Sequence, residues 1–307
     1  KINQCKIIAI AEPRQKLRKL VAKKYNIPNQ YATHYDLIKN EKNLDGVIVV
    51  TKRNMTGPIA LDLLKNNFSI ITEKPMTSNF DQAKKIINAI RNKEIIYQIG
   101  YNKIHDKGIL EAKKAFDKII KTNELGKITL IRSHRSSGTG YAGIKGDIKT
   151  NEINNHNKPS WKSKPTWLPN KYLNLYEKYL NLYCHNINLI RYFAGNNLKV
   201  VYSSLSEKKM SHVIMTNKKY DIILETGFFG RDVWDECFEI YFEFGSLKIS
   251  LPPQHDENGS ASYTISNLKN KKYYYKKNKW SFYYQALDFV ETIKNKRKNY
   301  INSGKDA

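Results

Sequence analysis

One stretch, Asp45 to Ser78 (DGVIVVTKRNMTGPIALDLLKNNFSIITEKPMTS), limits what this chain can fold into more than any other. An apolar run from Val47 to Val50 stops at Thr51. Ile59, Ala60, Leu63 and Leu64 then keep helical spacing, and Ile70 and Ile71 resume a strand. That is one βαβ unit, whose two parallel strands must lie in a sheet covered on both faces. In open α/β sheets, ligands bind outside the carboxyl ends of the strands. Thr51 and Glu73-Lys74-Pro75 fall at two such ends. A lysine there, beside a proline that stiffens the turn, is placed for chemistry.

The flanking segments extend the pattern. Lys6 to Ala11 reads as a buried strand followed directly by Glu12. Pro13 then opens a helix with Leu17, Leu20 and Val21 on one face. Strand, acid and helix make the second βα unit of a dinucleotide-binding fold, in which the acid accepts hydrogen bonds from the adenosine ribose. Glu12 favours NAD, because a 2′-phosphate would meet a carboxylate; Arg14 and Lys16 could instead pair with that phosphate, so NADP stays open. The plainer reading of Glu12 is an acid stabilised by a helix N-terminus. The glycine fingerprint should precede this acid by about 20 residues, yet no glycine occurs before Gly46. The expectation is therefore a fragment whose first strand and G-x-G-x-x-G loop lie upstream. After Pro75, Ser78 is expected to cap a helix with Ala83, Ile86, Ile87 and Ile90 inward. A strand from Ile95 to Ile99 then leads to Gly100-Tyr101-Asn102.

Beyond residue 102 the pattern changes. A helix over 107–120, closed by Gly126, precedes a strand from Lys127 to Arg135. Residues 136–170 read as a long loop carrying Trp161 and Trp167. The run KYLNLYEKYLNLYCHNINLIRYFAG reads as one helix ending at Gly195. From Lys199 the period becomes two, through six strands. Phe238, Ile240, Phe242 and Phe244 alternate with Glu239, Tyr241 and Glu243, and Gly245-Ser246 is the expected hairpin turn. Trp280 to Lys294 closes the pattern as an amphipathic helix. The expected fold class is α/β: a dinucleotide-binding domain over residues 1–102, then an α/β domain over 103–307 with a large, mainly antiparallel sheet.

The net charge of +25 raises a nucleic-acid partner. The charge is spread along the chain with abundant Lys, Asn and Ile, which argues for biased composition and against such a partner; attraction of anionic ligands survives. Lys269 to Lys279 (KNKKYYYKKNK) mixes bases with aromatics, as single-strand binders do, but reads better as an edge strand whose lysines discourage pairing. Apolar runs are too short for a membrane-spanning helix, and the start is not a signal peptide. Cys5, Cys184 and Cys237 suggest neither metal nor disulfides, which fits a reducing cytoplasm. The histidines lack metal-ligand spacing.

Two side chains stand out for chemistry. Lys74 could hydrogen-bond a substrate oxygen and stabilise negative charge developing there. His185, at the start of an apolar helical run, could take a hydroxyl proton as hydride leaves carbon; its plainer reading is a satisfied core histidine. Asn181 and Asn188 lie about one helical turn to either side.

These pieces together resemble the glucose–fructose oxidoreductase, inositol dehydrogenase and rhizopine-catabolism (Gfo/Idh/MocA) oxidoreductases, from residue 6 to the end. Glu73-Lys74-Pro75 carries most of the resemblance. Ala11-Glu12-Pro13, Asp45-Gly46-Val47, Gly100-Tyr101-Asn102, Leu125-Gly126-Lys127-Ile128 and His185 to Tyr192 support it in order. The resemblance implies NAD(P)-dependent hydride transfer at a sugar, sugar-nucleotide or cyclitol hydroxyl, and a homo-oligomer, dimer or tetramer, built through the open sheet. It implies that Lys74 and His185 are catalytic, and that Asn181 stands where an aspartate is usual. Asparagine can orient an imidazole but cannot stabilise imidazolium by charge, so a weakened member acting as sensor or scaffold is the alternative. Lys52, Arg53 and Thr56 stand where the family commonly has a proline-rich turn and a histidine. Expected cofactor contacts are Glu12, Arg14, Thr51, Lys52, Arg53, Glu73, Lys74, Pro75 and Asn102. Lys74, Asn181, His185 and Trp161 are the expected substrate contacts.

Overall fold

A computed structural model describes residues 2–138, 147–153, 161, 162, 164–228, 230 and 232–306. The chain divides into two compact units. The first comprises Lys1–Gly100, Ile144–Leu168 and Ala286–Ala307; the second comprises Tyr101–Gly143 and Pro169–Gln285. The described residues of 144–168 and 286–307 thus join the amino-terminal unit, whereas the sequence reading divided the chain at residue 102. The reason is long-range packing that no local pattern announces, and each unit shows it separately.

In the first unit, β1 (Ala9–Ala11), α1 (Gln15–Tyr25), β2 (Asn29–Tyr31) and α2 (His34–Asn40) form one βαβα run. β3 (Val47–Val49), α3 (Arg53–Lys65), β4 (Ile70–Thr72), α4 (Phe80–Ile90) and β5 (Tyr97–Ile99) form the next. All pairings are parallel, in two sheets: β1 with β2, and β3-β4-β5. The two sheets share no strand pairing. β4 is buried on both faces, which is why Ile70, Ile71 and Thr72 read as a continuous run. Leu63, Leu64 and Ile86 of the flanking helices are at most 1% exposed.

The carboxyl-terminal stretch is tied into this unit by polar and steric contacts. Gln98 donates to Asp288 Oδ2 at 2.9 Å, and Tyr97 N donates to the Tyr300 hydroxyl at 2.9 Å. A Cβ on Gly46 would lie 2.5 Å from Ile293 Cδ1, so glycine is what lets the last helix approach β3. Glu152 accepts from the amides of Lys16 and Leu17 at 2.8 and 2.9 Å, capping α1, whose own N-cap residue Arg14 has no capping side-chain bond. α4 is capped by Asn79, which accepts from Gln82 N at 3.1 Å, and not by Ser78. Ser78 is itself 4% exposed, with its backbone inside the turn after β4.

In the second unit, α5 (Lys107–Thr122) precedes β6 (Ile128–Ser137). α6 (Leu173–Lys178), a π-helical turn (Tyr179–Tyr183) and α7 (Cys184–Ala194) follow. The helical run expected up to Gly195 is thus unbroken from Leu173 to Ala194 but changes to π geometry over Tyr179–Tyr183, and Asn123 in the left-handed region, not Gly126, ends α5. β7 (Lys199–Ser204), β8 (Ser211–Thr216), β9 (Asp221–Gly227), β10 (Trp234–Phe242), β11 (Gly245–Ser250), β12 (Ser262–Ser266) and β13 (Lys271–Tyr274) complete the unit. With β6 they form an eight-stranded sheet, ordered β13-β12-β11-β10-β6-β9-β8-β7. Only the β6–β9 pairing is parallel.

Strand alternation sorts this sheet into two faces. Phe238 and Phe242 of β10 meet Phe116 of α5 and Phe193 of α7, with ring centroids 4.9 to 6.5 Å apart. On the other face Arg132 pairs with Glu225 and Glu239, and Glu239 with Lys248 at 3.0 Å. The hairpin turn falls at Glu243-Phe244, because Phe242 already pairs with Gly245. Phe244 is therefore 67% exposed instead of inward. β13 is the exposed edge anticipated for the lysine–tyrosine run.

Candidate functional site

Within the first unit, adjacent parallel strands gather the expected residues at their carboxyl ends. β3 runs into Thr51 and Lys52, and Arg53 opens α3. The Thr51 hydroxyl lies 3.2 Å from that of Thr56, and no side chain caps α3. Its first amides, flanked by Lys52 and Arg53, suit an anion. One strand over, Glu73 N donates to Val49 O at 3.0 Å, closing the two strand ends together. Lys74 follows, half-buried, with its amide 3.3 Å from Glu73 Oε2. The Lys74–Pro75 peptide is cis, and Pro75 is buried. Burial pushes the Glu73 carboxyl up, while Lys74 pulls it down.

Glu12 sits at the end of β1. Its Oε1 accepts from Arg14 N and Nε at 2.9 and 2.8 Å, and its Oε2 accepts from a terminal guanidinium nitrogen of Arg14 at 3.0 Å. The acid and base that the sequence left as rivals thus form one bidentate pair. Trp161 packs on α3: a Cβ at Gly57 would lie 2.9 Å from its ring. No polar pattern marked that contact; the signal was Gly57 inside an otherwise regular helix.

Within the second unit, His185 is 1% exposed at the start of α7, with the Tyr101 ring edge-on at a centroid distance of 6.0 Å. Asn181 is exposed, in the π-helical turn. That turn breaks the α-helical phase the sequence used to put Asn181 and His185 on one face. Asn102 is 1% exposed and donates to Ser281 Oγ at 2.9 Å. Lys103 Nζ pairs with Glu236 Oε1, which also accepts from Asn186 Nδ2 at 3.0 Å. Sequence reasoning missed this pair, since Lys103 looked like one more lysine in a lysine-rich chain. Burial pulls the Lys103 ammonium down to about 8, against the pull of Glu236.

His105, next along the same turn, is 2% exposed and held down to about 4, chiefly by burial and then by Lys107. A folded value below the ordinary 6.5 stabilises the fold above that pH, and the contribution is lost as pH falls through 6.5 toward 4. The window is worth about 3 kcal/mol. We expect His105→Phe to flatten acid unfolding between about pH 6.5 and 4 in a urea titration series; an unchanged slope would exclude this histidine as a cause.

Among the described residues, no cluster of His, Cys, Asp and Glu could hold a metal, and no helix is long and apolar enough to cross a membrane. Residues 1–101 match the sequence profile of an oxidoreductase family described as having an NAD-binding Rossmann fold. Among curated proteins, the chain is 24% identical over 122 residues to scyllo-inositol 2-dehydrogenase (NAD(+)) of Bacillus subtilis. That match covers 40% of this chain and 34% of the relative. It is 21% identical over 131 residues to myo-inositol 2-dehydrogenase of Thermotoga maritima, covering 43% and 38%. The chain thus aligns with only about a third of the length of these relatives. Among solved structures, a 3-ketoreductase from Actinomadura kijaniata in complex with TDP-benzene and NADP superposes with a TM-score of 0.70 at 13% identity. That alignment covers 98% of this chain and 84% of the other. A dehydrogenase from Clostridium difficile gives 0.66 at 14%, covering 97% and 85%. A Rossmann domain joined to a large, mostly antiparallel sheet is the fold they share.

Proposed function

We propose, for a chain whose first 101 residues belong to the Gfo/Idh/MocA oxidoreductase family, an NAD(P)-dependent oxidoreductase acting on a sugar, sugar-nucleotide or cyclitol hydroxyl carbon. The observation that carries this reading is Lys74 at the carboxyl end of β4, one strand from Thr51 and the uncapped start of α3. The residues present fit a dinucleotide: amides and cations at α3 suit its phosphates, and the Glu12–Arg14 pair suits its ribose. When bound, the nicotinamide supplies or accepts the hydride.

The chain's own groups handle the proton and the charge. Lys74 donates a hydrogen bond to the substrate oxygen and stabilises negative charge growing there. His185 takes the hydroxyl proton in oxidation and returns it in reduction. Lys52 and Arg53 favour a substrate with a phosphate or nucleotide group. We infer a homo-oligomer, joined through the sheet face that carries Arg132, Glu239 and Lys248. The test is direct. NADH and NADPH fluorescence titrations should show saturable binding of at least one cofactor. A panel of sugars, sugar nucleotides and inositols should then show cofactor-linked turnover. Absence of binding to both cofactors would reject the reading.

The Glu12–Arg14 pair makes cofactor choice testable. With its carboxylate, Glu12 repels a 2′-phosphate and occupies the guanidinium that would receive one. Glu12→Ser removes both effects. The ratio of NADPH to NADH affinity should rise about fivefold, the worth of one partly exposed ion pair. A ratio unchanged by the substitution would separate Glu12 from the ribose.

A further inference from the structure

We propose that Lys103 and Glu236 are positioning residues for His185, acting through Asn186 and Tyr101. This rests on the oxidoreductase reading for its purpose, but its geometry stands within the second unit alone. The segment after Gly100 reaches two successive residues of α7, His185 directly and Asn186 through Glu236. Tyr101 sets its ring edge-on to His185, at 89°. Two residues later Lys103 pairs with Glu236 of β10, and the same carboxylate oxygen accepts from Asn186, the residue after His185. Asn186 Nδ2 also lies 3.4 Å from Ser133 Oγ of β6. Lys103, His185, Asn186, Ser133 and Glu236 are all at most 5% exposed.

Burying an ion pair is a poor way to hold a helix on a sheet, since an apolar pair of similar volume does so at lower cost in desolvation. The directional bonds of the pair instead fix where α7 starts and how the imidazole is turned. Charge is the second part of the argument. The position four residues before His185 holds Asn181, without a carboxylate. Glu236 delivers one to the residue beside His185 from the sheet. The charged and titratable groups around Lys103 are Glu236 from β10, Arg135 from β6 and Cys184 from α7. Arg135 donates to Leu182 O at 3.1 Å and lies over the Trp234 ring, so it braces the turn just before α7 from the same strand as Ser133.

The experiment follows the imidazole of His185 by ¹⁵N NMR, assigned by loss of its signal in His185→Gln, and needs no substrate. Glu236→Gln leaves the Lys103 cation and should lower the His185 titration midpoint. Lys103→Met leaves the carboxylate and should raise it, each by about half a pH unit or more at this burial. Lys103→Arg, which keeps the charge, should return the midpoint most of the way. Both single variants folding with the wild-type midpoint would overturn the proposal. If either single variant does not fold, the neutral variant Lys103→Met/Glu236→Leu carries the test. It should fold, keep the midpoint near that of the wild type, and show an imidazole with faster ring motion and a mixed tautomer. An imidazole as ordered as the wild type's in that variant would overturn the proposal equally. Neither readout uses turnover, so a failed activity screen leaves the positioning result intact, and a failed NMR result leaves the activity reading intact.

Discussion

Lys74→Ala should lower turnover by about two to three orders of magnitude, the usual cost of removing one preorganised donor from a developing oxyanion. Cofactor affinity should change little by comparison. The difference follows from where the side chain stands. Thr51, Lys52, Arg53 and the amides of α3 remain to receive the dinucleotide, whereas no other expected donor shares the end of β4 with Lys74. The half-buried Glu73, with its carboxyl pushed up by burial, would lose the cation that opposes that push, so the variant's acid limb should move upward. Lys74→Arg should recover only part of the rate, because a planar fork does not reproduce a compact ammonium. Steady-state kinetics with the best substrate of the panel, beside a nicotinamide fluorescence titration, separates the two effects. Undiminished turnover in Lys74→Ala would remove the lysine from the mechanism. A loss of rate matched by an equal loss of cofactor affinity would make it a cofactor contact instead.

How far the sequence foretold this site depends on the range of the interactions involved. β4 and α3 were legible because a buried strand and a helix each leave a local period, and the strand-end rule then places Thr51 and Lys74 without further knowledge. The strands from Lys199 onward were legible for the same reason. What failed was always set by something distant or by backbone detail. Asn79 displaces Ser78 as a cap through one residue's difference in where the backbone is extended. The turn at Glu243-Phe244 sits two residues earlier than glycine suggested, because Gly245 already pairs with Phe242 of β10. The π-helical turn at Tyr179–Tyr183 adds no residue type that differs from an α-helix, so the phase between Asn181 and His185 could not be read. Glu152 capping α1 lies more than a hundred residues from its partners, and the Lys103–Glu236 pair spans a similar gap. In a lysine-rich chain, a buried lysine carries no mark in the sequence.

That pair leads to the second large effect. Glu236→Leu alone removes the carboxylate that pairs with the Lys103 ammonium, which is 5% exposed, and should destabilise the second unit by about 3–5 kcal/mol. Adding Lys103→Met removes the stranded charge. The double variant should recover most of the loss, ending near or above the wild type. The coupling between the two substitutions, measured in a double-mutant cycle by denaturant unfolding, is then the quantity of interest. It has a sign in pH as well. The folded value of Lys103, about 8, is below the ordinary 10.5, so the folded state binds fewer protons than the unfolded one between them. This group therefore costs stability where it is charged, and its contribution improves as pH rises from about 8 through 10.5. The wild type should show that rising component, and the double variant should lack it. Asn186 gives the remaining check. Its amide bonds to Glu236 and Ser133 are lost in part when the carboxylate goes, so Asn186→Leu should cost less in the double variant than in the wild type. Equal costs in both backgrounds would mean that Asn186 holds α7 without help from the pair.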